Sequence, residues 1–86
     1  MATRLYVGNL ADETTEQDLE QLFRVYGKIS SVEVIGALGG GGSGFGFVEM
    51  HSAEAARKAV QELKGRPLHN HFLVVNETSV LEEEVV

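Results

Sequence analysis

The 86-residue chain has room for one small domain, and its 43% hydrophobic and 23% charged residues suit a folded, soluble protein rather than a disordered one. Lack of cysteine removes disulfides and thiolate metal sites, and no apolar stretch approaches the roughly 20 residues that span a bilayer. A net charge of −6 argues against a sequence-blind nucleic-acid binder, because such proteins neutralise phosphates with Lys and Arg.

Residues 1–10 hold one Arg, a short apolar run and no cleavage-site pattern, so the expected location is cytoplasmic, or nuclear in a eukaryote. Arg4-Leu5-Tyr6-Val7-Gly8-Asn9-Leu10 alternates as a first strand does, with Leu5 and Val7 on one face and Tyr6 on the other. A helix follows. Thr15 and Asp18 have capping-box spacing, and Asp12, Glu13 and Glu16 add negative charge at its N-terminus. Leu19, Leu22, Phe23 and Tyr26 form its buried stripe, and Gly27 is the expected left-handed stop. Ile29–Ile35 returns to period two, with Val32 and Val34 on one face and Glu33 and Ile35 on the other.

The segment 36–44 is glycine at six of nine positions and reads as a flexible connection. Residues 45–50 form the next strand, with Gly46, Val48 and Met50 on one face and Phe45, Phe47 and Glu49 on the other. Ser52 caps a second helix that runs through Leu63, buries Ala56, Ala59, Val60 and Leu63, and stops at Gly65. Residues 71–77 read as one last strand with Leu73 and Val75 inward. The order strand, helix, strand, strand, helix, strand predicts an α+β fold: a ferredoxin-like βαββαβ sandwich with both helices on one face of a four-stranded antiparallel sheet.

That arrangement leaves one sheet face open, and the open face is unusual in composition. A solvated strand surface should be polar, yet the outward positions include Tyr6, Ile35, Phe45, Phe47, Phe72 and Val74. Tyr6, Phe45 and Phe47 lie on the two strands expected at the centre of the sheet. Flat rings on a rigid surface are what unpaired bases stack on, each stack being worth roughly 1–3 kcal/mol. Gly8 and Gly46 are expected to leave room beside those rings.

Leu5-Tyr6-Val7-Gly8-Asn9-Leu10 resembles the hexapeptide motif of the RNA-recognition-motif family, and Ser43-Gly44-Phe45-Gly46-Phe47-Val48-Glu49-Met50 resembles its octapeptide. The resemblance covers roughly residues 3–78. It implies that Tyr6 and Phe47 each stack a base and that Phe45 packs against sugar rings. It also implies that Asn76 and Glu77 read base edges through side chain and backbone. With Arg4, Asn9 and Glu49, these make the expected RNA-binding set. Two positions depart from the pattern. Ser43 stands where the family has a phosphate-binding Lys or Arg, and Met50 replaces an aromatic on the inward side, a change a core tolerates. Glu33 and Glu49 put negative charge on the face, offset there by Arg4 alone, so affinity should be modest.

Other chemistries fit the sequence less well. Gly39-x-Gly41-x-x-Gly44 has the dinucleotide-fingerprint spacing, but a strand follows it where a helix N-terminus is needed. His69 and His71 have no third ligand near them and His51 lies at another connection, so surface histidines are expected and no metal or other cofactor. Acylphosphatase-like chemistry needs basic donors at the first loop, where Ala11-Asp12-Glu13 stands.

The expectation is therefore a non-catalytic, monomeric module, residues 1–79, that binds single-stranded RNA, with single-stranded DNA also open. Membrane association is not expected. The alternative is a protein-interaction module using the same sheet face or the helical face. Residues 1–76 hold all seven basic and nine of the thirteen acidic residues, so they are nearly neutral. Residues 80–86 form an acidic tail, which either frays or covers Ile35, Phe72 or Val74. A chain beginning at Met1 and ending soon after its last strand fits a whole small protein, as among bacterial single-domain members of the family, and equally an excised domain.

Overall fold

The structure is a computed structural model and describes residues 3–35 and 44–78. Strand β1 (Thr3–Leu10) leads into helix α1 (Glu16–Phe23), then β2 (Ile29–Ile35) and β3 (Gly44–Met50). Helix α2 (Ala53–Leu63) is followed by a two-stranded hairpin, β4 (Pro67–Leu68) and β5 (His71–Phe72), and by β6 (Val74–Glu77). The main sheet has the order β2-β3-β1-β6, with every neighbouring pair antiparallel. Helix α1 packs on β2 and β3, and α2 on β6, β1 and β3. This is the ferredoxin-like sandwich that the sequence predicts.

Alternation decides which face each residue serves. Leu5, Val7, Val48, Met50, Leu73 and Val75 are buried, and they meet Leu19 and Phe23 of α1 and Ala56, Ala59 and Leu63 of α2. Each large side chain taken fully from water contributes about 1.5–3 kcal/mol. The alanines of α2 let that helix approach the sheet closely.

Both helix starts follow the sequence. The Asp18 backbone N–H donates to Thr15 Oγ1 at 3.1 Å, while the Thr15 N–H donates to Asp18 Oδ2 at 3.0 Å, which completes the capping box. Ser52 accepts from the Ala55 N–H at 3.1 Å. The stops divide. Gly65, at φ +79°, is the left-handed residue expected after α2. Gly27 does not take a positive φ. Helix α1 ends earlier, at Phe23, and turns through Tyr26 N–H to Phe23 C=O at 2.9 Å and Gly27 N–H to Arg24 C=O at 3.3 Å. Tyr26 packs on the core from that turn. A Cβ at Gly27 would lie 2.6 Å from the Ala55 Cβ, so the need for glycine there is the closeness of α2.

The single last strand expected over 71–77 is also corrected. Pro67 pairs with Phe72 and Leu68 with His71, across a two-residue turn in which His69 (φ 53°) and Asn70 (φ 69°) are both left-handed. Two positive φ values match the twist of a tight hairpin. Leu73 then leaves this ladder, donating to Arg66 C=O and accepting from the Gly65 N–H, before β6 joins β1. Ser43, the rest of the glycine-rich connection and the acidic tail lie outside the described residues, as do the expectations attached to them.

Candidate nucleic-acid interface

Register places the rings. Tyr6 stands directly opposite Phe47 on β3 and opposite Asn76 on β6, while Phe45 stands opposite Ile35 of β2. The three ring centroids form a nearly equilateral cluster: Tyr6 to Phe45 6.0 Å, Tyr6 to Phe47 6.0 Å, and Phe45 to Phe47 5.9 Å. Tyr6 and Phe45 lie within 30° of parallel, whereas Phe45 and Phe47 are edge to face at 86°. Separations of 4.5–7 Å in these geometries are attractive, so the rings hold one another in place before any ligand arrives. All three are half-buried. The cluster therefore presents stable aromatic surface to solvent at the middle of the sheet.

Two local features set its shape. A Cβ at Gly8 would fall 2.6 Å from the Tyr6 hydroxyl, so the phenol leans back along β1 over a position that must stay bare. Gly46 works differently from the expected spacer between rings. A Cβ there would meet the Glu33 carbonyl oxygen of β2 at 2.4 Å, so its bareness serves the approach of two backbones.

Arg4 lies across the Phe47 ring, with its guanidinium carbon 4.3 Å from the centroid. This cation–π contact is worth about 0.5–1 kcal/mol at an exposed site. It keeps the one cation of the face among the described residues above a ring expected to stack a base. Arg4 is opposite Glu49, whose Oε1 accepts from the Ser31 hydroxyl at 3.4 Å, and Glu33 is opposite Phe47. The β2 side of the face is thus acidic.

Of the residues singled out in the sequence, Arg4, Tyr6, Phe45, Phe47, Glu49 and Asn76 share the open face. Asn9 stands apart from the rings, in a left-handed conformation (φ 59°) at the irregularity between Val7 and Leu10. Its amide donates to the Phe72 carbonyl at 2.8 Å, and the His71 Nδ1–H donates to the Asn9 carbonyl at 3.2 Å. Glu77 is opposite Leu5, so alternation turns its side chain toward the helical side, where it is exposed. Thr78 was not anticipated. Its N–H and hydroxyl both donate to the Arg4 carbonyl, at 2.9 and 3.2 Å, tying the end of β6 to the backbone beneath the cation. A lone Thr past a strand carries no pattern that would announce this.

The histidines are not simply loose surface groups. His69 Nε2–H donates to Asp18 Oδ2 at 3.1 Å, which joins the hairpin turn to the cap of α1. The Asp18 carboxyl is held below its ordinary value of 3.8, first by the Thr15 N–H and then by His69. Among the described residues no cluster of His, Asp or Glu could hold a metal, and no helix is long and apolar enough to cross a membrane. An open depression of about 630 Å³ is lined by Tyr26, Lys28, His51 and Lys58 among others. None of its lining residues belongs to the aromatic face.

Four antiparallel strands backed by two helices, with three mutually packed rings on the bare side, define a small binding module built around an open sheet. The chain belongs to the RNA recognition motif family, which it matches over residues 5–74. It is 40% identical over 76 residues to the Arabidopsis thaliana protein named glycine-rich RNA-binding protein 3, mitochondrial, covering 87% of this chain and 25% of that one. It spans a quarter or less of the length of the first curated relatives it matches. Among solved structures it is similar to RNA-binding protein PG1, at TM-score 0.79 and 40% identity over 90% of this chain and 94% of that one. It is also similar to the Rna15 RRM solved with bound RNA (GU), at TM-score 0.75 and 26% identity over 88% and 82% of the two chains.

Proposed function

We propose that this domain binds single-stranded RNA on its open sheet face, as a monomer and without catalysis, in the cytoplasm or nucleus. The observation that carries the reading is the cluster of Tyr6, Phe45 and Phe47 at about 6 Å spacings on a face that lacks a covering layer among the described residues. A ring exposed on one side and packed on its neighbours loses little entropy when a base settles on it. Family membership and the RNA-bound neighbour support the same reading.

In this mechanism one base stacks on Tyr6 and another on Phe47, and Phe45 supports the sugar between them. Arg4, which lies directly on the Phe47 ring, moves off it to make room for the base and turns toward a phosphate or onto the far face of that base. Asn76, exposed beside Tyr6, offers both a donor and an acceptor to a base edge. Stacking tolerates every base, so base preference is weak, and affinity is modest because Arg4, the one cation on the face among the described residues, neutralises little phosphate.

Replacing Tyr6 or Phe47 by Ala should weaken binding of a short mixed-sequence RNA about ten-fold or more while leaving the fold intact. Fluorescence anisotropy measures the first and circular dichroism the second. Undiminished affinity in both variants would remove these rings from the site. In an NMR titration, silence at millimolar RNA would favour a protein partner on the same face. Parallel titration with the DNA of identical sequence tests whether the 2′-hydroxyl contributes.

A further inference from the structure

Phe72 is 65% exposed and Val74 42% exposed, although Leu73 and Val75 beside them are buried. Alternation along β6 puts Val74 and Asn76 on the open side of the sheet, and exposed Phe72, at the end of β5, precedes them on the far side of buried Leu73. Single exposed apolar residues are common and need no explanation. These two are not isolated. Val74 is directly opposite Gly8, the bare position over which the Tyr6 phenol lies. An apolar surface therefore runs from Phe47 through Tyr6 and Val74 to Phe72, two residues or roughly 6.6 Å farther along the chain.

The backbone under Phe72 is held from several directions. The two-residue turn fixes Phe72 opposite Pro67, Asn9 donates to its carbonyl, and His71 beside it donates to Asn9. His69 ties the same turn to Asp18 of α1, and Leu73 anchors the exit in the core. None of these tethers uses the Phe72 ring. The chain thus fixes the base of an aromatic side chain and leaves the ring itself in water.

We infer that Phe72, floored by Val74, is a stacking site for a further unpaired base, reached by the strand as it leaves Tyr6 toward the β4–β5 hairpin. The inference rests on the proposed RNA-binding face and extends it by one nucleotide. The surface follows on from that face through Val74, which pairs with Gly8 of β1, and lies across the sheet from Glu33 of β2.

The test compares rA and rU homopolymers of two, three and four nucleotides on the wild-type domain and on Phe72→Ala and Phe72→Leu. The wild type should gain at least about five-fold in affinity when a third or fourth nucleotide is added. Phe72→Ala should lose that gain while keeping dinucleotide affinity, and Phe72→Leu should recover only part of it, since it restores bulk without a flat ring. Equal loss at every length would mean that Phe72 acts on the whole face, and an unchanged gain in Phe72→Ala would mean that the ring is a bystander. Either result overturns the inference and leaves Tyr6 and Phe47 in place. Absence of binding by the wild type at any length overturns the RNA-binding reading as well.

Discussion

The two edges of the sheet are built to different ends. At the β2 edge, Glu33 and Glu49 flank Phe47 and the strand is joined to β3 at close range over Gly46. At the β6 edge the open positions are Val74 and Asn76, exposed Phe72 precedes them, and the approach to the strand is tied down by side-chain hydrogen bonds from Asn9, His69 and His71. One edge repels phosphate; the other offers apolar surface on a fixed backbone. A polyanion crossing such a face is best accommodated with its phosphates displaced from the acidic edge and its bases turned inward and toward β6.

The first way to break that comparison is to disturb the β2 edge itself. A methyl at Gly46 points at the Glu33 carbonyl oxygen, a backbone atom with no freedom to swing aside. Gly46→Ala should therefore destabilise the domain by about 1–3 kcal/mol, as overpacking does. Urea denaturation gives the size, and amide shifts across β2 but not β6 give the place. An unchanged midpoint would show that β2 yields without cost.

Much of this arrangement could be read from the sequence, and the rest failed for identifiable reasons. Alternation assigned the inward and outward faces of β1, β2 and β3 and of Val74 and Val75 in β6, and Thr15, Asp18 and Ser52 announced their caps, because those signals are local. Gly27 was misread because its reason for being glycine is Ala55, 28 positions away in the sequence. The hairpin escaped because His69-Asn70 lacks the glycine that usually marks a tight turn, even though asparagine tolerates a left-handed φ. The aromatic face was legible from its strand positions. The Arg4 side chain over Phe47 was not, since a long flexible side chain has many rotamers and no period predicts which one is filled.

Charge provides the second test, with a smaller effect. Neutralising the acidic edge with Glu33→Gln and Glu49→Gln together should tighten RNA binding about three-fold or more at low salt, and the gain should fade as salt rises. Placing an acid on the other edge, with Asn76→Asp, should weaken binding in the same salt-sensitive way. If the glutamine pair binds no better at low salt, the phosphates do not pass near β2, and the contrast between the edges has no bearing on the path of the strand.

The smallest expected effect concerns the pin that holds the β6 edge. The Asp18 carboxylate accepts hydrogen bonds from the Thr15 backbone N–H and from His69 in the hairpin, and both favour its charged form. A carboxyl whose pKa is lower in the folded protein than in the unfolded chain stabilises the fold above the unfolded value. That contribution disappears as pH falls through the folded value. The window therefore lies below the ordinary 3.8, well away from neutral pH. Asp18→Asn should lower the melting temperature by a few degrees at most at pH 7, and the difference from wild type should shrink as the pH is taken down toward 2. The amide retains an oxygen for the Thr15 N–H, so what is removed is mainly the charge. Because Asp18 also holds His69, the variant should show faster hydrogen exchange at the hairpin amides near His71 and Phe72, with the β2 amides unaffected. Equal changes at both edges would mean that Asp18 serves the helix cap alone and that the hairpin keeps its position through Asn9.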